Sequence, residues 1–111
     1  MPYETAAALC LSLNDANQRL GCFHGYGLRY SKKASLDPPF ILTLCCFGSL
    51  EDRQMCVEGA AGKIDNFDRN LKYKVCELID DVVLRKSCFE AENEGMNKDA
   101  NRYYYVALVA Q

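Results

Sequence analysis

Seven cysteines fall in a pattern that limits how this chain can fold. Six of them form three spaced couples, Cys10 with Cys22, Cys45 with Cys56, and Cys76 with Cys88. The second member of each couple sits in the same local setting. An Arg stands three residues before it (Arg19, Arg53, Arg85), Phe or Val follows it (Phe23, Val57, Phe89), and a small residue lies three after it (Gly25, Gly59, Ala91). The chain is therefore an internal repeat of about 31 to 35 residues, a period typical of stacked helical units.

On one continuous helix, the members of such a couple would lie up to roughly 18 Å apart along the axis. They meet only if the chain reverses between them, and each couple has a helix stop near its midpoint: Asn14-Asp15, Gly48-Ser49 and Asp80-Asp81. Antiparallel helices about 8 to 10 Å apart bring the cysteines into bridging range. The expected disulfides are Cys10–Cys22, Cys45–Cys56 and Cys76–Cys88, each contributing about 2 to 3 kcal/mol. Cys45 and Cys46 are only about 100° apart around a helix, so either one could partner Cys56. Cys46 is otherwise left as a free thiol, with burial expected ahead of an intermolecular bridge. No Cys-x-x-Cys pair and only one His are present, which argues against a metal site.

Hydrophobic periodicity places a first helix over Tyr3 to Leu13 and a second, capped by Asp15, up to about Ser31. Lys32 to Pro39 reads as a loop on account of its two prolines. A third helix runs from about Pro39 to Phe47. A fourth starts at Ser49, whose spacing to Asp52 approaches a capping box. The fifth spans Asp68 to Ile79 and the sixth runs from Val82 to about Glu94. A last helix, Asp99 to Ala110, puts Ala107 where a fourth repeat would carry its first Cys, as a terminal cap would. The expected fold is all-α: three disulfide-stapled antiparallel helical hairpins (about 3–32, 38–66 and 68–96) stacked as a short solenoid or bundle, plus a C-terminal capping helix at about 99–110.

Length allows one domain with a core. Half the residues are apolar, a quarter are charged and the net charge is -2, so neither a nucleic-acid binder nor a disordered chain is expected. The longest apolar run, Phe40 to Phe47, is about a third of a membrane crossing, so no membrane insertion is expected. Regular cysteine pairing points to a periplasmic or extracellular compartment, yet no leader is visible at the N-terminus. Either Met1 was added to a mature secreted chain, or the thiols stay reduced in the cytoplasm as small core residues. The first reading is favoured.

The period, with a Cys near the end of one helix and the start of the next, resembles the cysteine-stapled Sel1-like helical repeats of some secreted bacterial proteins. Tyr26-Gly27 and Tyr30 stand in for the tyrosine–glycine punctuation of those repeats. The segment Cys22-Phe23-His24-Gly25-Tyr26-Gly27 is similar to a Cys-aromatic-His-Gly stretch of uncharacterised bacterial proteins, and implies no activity. The spacing of Cys46 to Cys56 also resembles the twin-cysteine hairpins of the mitochondrial intermembrane space, although Gly48 and Ser49 interrupt that likeness.

Little here carries chemistry. His24 is the only His, and its counterparts in the other repeats, Glu58 and Glu90, read as exposed helix positions rather than catalytic ones. No cofactor is expected. Arg19, Arg53 and Arg85 could form a ladder for carboxylates or phosphates, or instead pair with acidic neighbours such as Asp15, Asp52 or Asp81. Tyr103, Tyr104 and Tyr105 span about 200° of a helix, so one of them must face outward and could contact a protein partner or a second copy. The expected function is a non-catalytic protein-binding or scaffold module. The alternatives are a small enzyme or redox protein using His24 or Cys46, and a structural subunit docking through its tyrosine-rich last helix.

Overall fold

The computed structural model of the chain describes residues 1–92. The expected closing helix at 99–110, with Tyr103, Tyr104 and Tyr105, lies outside the described residues. Seven α-helices form the described part: α1 (Tyr3–Leu11), α2 (Ala16–Arg29), α3 (Ser31–Leu36), α4 (Phe40–Leu44), α5 (Leu50–Phe67), α6 (Arg69–Glu77) and α7 (Val82–Glu90). No strand occurs among the described residues.

Local chemistry starts the long helices. Carboxylates of Asp15, Asp68 and Asp81 accept from the backbone N–H three residues on, at Gln18, Leu71 and Leu84. Each such cap is worth about 1 kcal/mol. Before α5, Ser49 Oγ accepts from Asp52 N while Asp52 Oδ2 accepts from Ser49 N, a reciprocal capping box. Gly48, at φ +83°, makes the bend that leads into it, and a Cβ there would run into the Asp52 side chain. Glycine is needed at that position twice over, for its backbone angle and for the room it leaves.

Disulfides join Cys10 to Cys22, Cys45 to Cys56 and Cys76 to Cys88, with Cα–Cα distances of 5.4, 5.5 and 5.5 Å. They tie α1 to α2, the end of α4 to α5, and α6 to α7. Three such bridges are what an oxidising environment permits.

Helix α5 is the centre of the packing, against α2, α6 and α7. Its middle, Gly59-Ala60-Ala61-Gly62, is buried and has almost no side-chain bulk. Glycines in a helix cost about 1 kcal/mol each relative to Ala, and here they let backbones touch. A Cβ on Gly27 of α2 would fall on the carbonyl oxygen of Cys56, and one on Gly59 would fall on that of His24. The core beside this crossing is built from Phe23, Tyr26, Ile41, Leu44, Val57, Ile64 and Val75. Tyr26 is fully buried, and its hydroxyl donates to the Leu44 carbonyl at 2.9 Å, fastening α2 to α4. Tyr3 packs edge-on against Phe40 with ring centres 5.1 Å apart.

Five sequence expectations need correction, the simplest being that α6 ends at Glu77 rather than Ile79. The stretch from Lys32 to Pro39 is not a loop throughout, because Ser31–Leu36 is helical. A proline constrains only the residue ahead of it, here Asp37 at φ -137° and ψ 84°, which leaves Leu36 free to stay in the helix. Helix α1 ends at Leu11 rather than Leu13, and the helix after Pro39 ends at Leu44 rather than Phe47. In the latter, the chain turns at Cys45 so that its sulfur can reach Cys56. Helix α7 ends at Glu90 rather than about Glu94. Lys72 Nζ donates to the carbonyls of Phe89 (3.1 Å) and Ala91 (2.8 Å) and draws the chain out of the helix.

Candidate functional site: a charged cleft between Arg53 and the turn before α7

The three repeat arginines meet three different surroundings. Arg19 turns inward: its Nε donates to both carboxylate oxygens of Asp52, at 3.3 and 3.2 Å, and its Nη1 donates to the Leu13 carbonyl. Asp52 is 1 % exposed, so this pair joins α2 to the start of α5 largely out of water. Arg85 is exposed and lies over the Phe89 ring, 5.8 Å from its centre. Arg53 donates from Nε to the Cys45 carbonyl at 3.3 Å, and that is its only side-chain hydrogen bond among the described residues.

The reason lies one repeat on. Asp52 stands four residues before Cys56, and the residue four before Cys88 is Leu84. Leucine offers no carboxylate. Beside Arg53 the structure instead has a cleft of about 150 Å³. Its apolar wall is Ile41, Val57, Ile79 and Leu84, with half-exposed Leu42 at the rim. Its polar groups are Arg53, Asp80 and Asp81. Asp81 spends one oxygen on the Leu84 N–H, while Asp80 makes no hydrogen bond or ion pair among the described residues.

Comparison of the chain with protein-family models, curated proteins and solved structures gives no match. The site must be read from its own geometry. A guanidinium, a free carboxylate and an aliphatic wall can hold a small molecule or side chain by charge and contact. Among the described residues no three His, Cys, Asp or Glu side chains converge as a metal site requires.

The remaining sequence candidates lie elsewhere. His24 is not the exposed position expected of it. It is half-buried where α5 crosses α2, and its Nδ1 is shielded without a hydrogen-bond partner among the described residues. Burial pushes its pKa below the usual 6.5. Glu58, its repeat counterpart, is pushed above the usual 4.5, first by burial and then by the charge of Glu90. The expectation of a buried Cys46 is also corrected: the thiol is exposed, with Sγ donating to the Thr43 carbonyl at 3.1 Å. Cys46 lies beyond the end of α4, where the turn sends Cys45 inward and its neighbour outward.

One buried cluster escaped the sequence reading. Lys72 is 2 % exposed, and its ammonium pairs with Asp65 at 3.2 Å as well as with the two carbonyls at the end of α7. Asp65 is held below its ordinary pKa, chiefly by the hydrogen bond from Arg69 at 3.0 Å, helped by Lys72 and opposed by burial. A signal existed: Lys72 falls on the helical stripe of Val75, Cys76 and Ile79, where an unpaired lysine would be costly.

Proposed function

We propose that this protein is a non-catalytic binding module, built as a short stack of disulfide-stapled helical hairpins closed by the C-terminal segment at about 99–110, and working in a periplasmic or extracellular setting. The stacking reading is supported by side-chain and backbone contacts between α2 and α5 and between α5 and α7. Arg19 reaches Asp52 and Gln54 Nε2 donates to Ser87 Oγ, both across 33 residues. Further along, Gly59 abuts His24 and Gly62 approaches the Glu92 carbonyl. At the same crossing Gly27 meets the Cys56 carbonyl. In the proposed stack α2, α5 and α7 run the same way, and the turns that precede them share one edge.

The observation that carries the binding reading is what this edge exposes. Leu11, Leu50, Leu78, Val82 and Val83 all flank the three turns, and Val82 is 79 % exposed. Aliphatic side chains gathered beside turns gain from being covered by a protein surface. No described helix is long and apolar enough to cross a membrane.

The test is site-specific photo-crosslinking in the protein's native extract. A crosslinker at position 82 is expected to give a discrete adduct, with another protein or with a second copy, that one at exposed Lys74 does not. Equal labelling from both positions, or none from either, would remove the docking edge from the account.

A further inference from the structure

We propose that the cleft beside Arg53 is a binding site for a free aliphatic α-amino acid of about the size of valine or leucine. This goes beyond the docking edge and does not depend on it.

The molecule itself shows what an arginine at this repeat position takes. Arg19 is paired through Nε with a carboxylate, Asp52, delivered from the next helix of the repeat. Arg53 has the same register and no such carboxylate, because Leu84 occupies the equivalent place. Its Nε is held by the Cys45 carbonyl, Arg53 lines the cleft, and its terminal nitrogens make no hydrogen bond among the described residues. A planar carboxylate is the group to which a fixed guanidinium donates best.

A simple anion does not complete the site, because Asp80 and Asp81 line the same cleft. A bare cation would meet Arg53. The charges are matched together by a zwitterion, with its carboxylate on Arg53 and its ammonium on Asp80 and the free oxygen of Asp81. The remaining wall, Val57, Ile79 and Leu84, is aliphatic and calls for an apolar side chain. At about 150 Å³ the cleft is below the size of a typical pocket for larger ligands, which favours a single amino acid over a peptide.

The experiment is a titration of the ¹⁵N-labelled, disulfide-intact chain with leucine, N-acetylleucine and leucinamide, followed by amide chemical shifts. Leucine is expected to move the amides of Val57, Ile79 and Leu84. Each analogue lacks one charge and is expected to bind at least about tenfold more weakly, as is leucine to Arg53→Gln. Asp80→Asn should bring leucine down to the level of N-acetylleucine. Asp80 is exposed, so this variant carries the test even if Arg53→Gln does not fold. An absence of shifts with leucine overturns the site. N-acetylleucine binding as tightly as leucine, which is how the C-terminus of a partner chain would behave, overturns the zwitterion. Leucinamide binding as tightly, or a folded Arg53→Gln unchanged in affinity, overturns the role of Arg53.

Discussion

The contact of α2 with α5 and that of α5 with α7 differ in what each does with an arginine. In the first, Arg19 and Asp52 close over a crossing where backbones touch at Gly27 and Gly59. In the second, a neutral bond from Gln54 to Ser87 takes over the link between helices, and Arg53 is left at a cleft. The residue four before the cysteine, Asp52 in one and Leu84 in the other, separates the two outcomes. An aspartate at this place goes with a closed ion pair, and a leucine with an open charged cleft.

The comparison breaks most severely at Asp52. Asp52→Ala removes half of the capping box and strands Arg19, and is expected to cost about 3 kcal/mol in a urea unfolding curve. A loss below about 1 kcal/mol would mean that the pair is incidental to the first contact. Next comes Gly59→Ala, in which the new methyl meets the His24 carbonyl, a backbone atom that cannot swing aside. The helices must separate, at a net cost of about 2 kcal/mol despite alanine's better helix propensity. A stabilised Gly59→Ala would show that the crossing has slack.

The two arginines give the most direct contrast. Arg19→Gln should destabilise by about 1 kcal/mol, kept modest because the Arg19 side chain retains 27 % exposure. Arg53→Gln should change stability by less than about 0.5 kcal/mol. Equal effects would mean that Arg53 is as structural as Arg19, and the distinction between the two contacts would lapse.

The smallest effect is one of pH at the first contact. Folded His24 binds its proton less readily than the unfolded chain does, so its share of stability is complete above 6.5 and is lost as pH falls through that value. Glu58 works in the opposite sense: its share is complete below 4.5 and is lost as pH rises toward its elevated folded value. Melting temperatures of His24→Gln should therefore decline less than those of the parent between pH 7 and 6. Parallel declines would place the proton uptake elsewhere.

Much of the scaffold was legible in the residues because its causes are local. An aspartate or serine bonding a backbone N–H three positions on is written in the order of residues, and so are the caps of α2, α5, α6 and α7. Proline misled at Lys32 to Leu36 because its influence was extended further along the chain than sterics allow. The cleft was half legible: Arg53 stood out, and aligning Asp52 against Leu84 would have marked it as the arginine lacking a carboxylate. Nothing local told that Asp80 would share its cleft, or that Cys46 would end outside rather than inside.

What the sequence determined by itself is an all-helical chain with three disulfides, since periodicity, caps and cysteine spacing act within one or two helical turns or across one reversal. Tertiary structure alone decided which charges are spent and which are available. Arg19 and Asp52 are 33 residues apart, Lys72 finds its carbonyls 17 and 19 residues away, and the Arg53 cleft draws on α4, α5, α7 and the turn before α7. Whether a charged side chain meets a partner depends on how helices distant in the chain settle against one another, and that is set by the bulk-free faces of α2 and α5 where they cross.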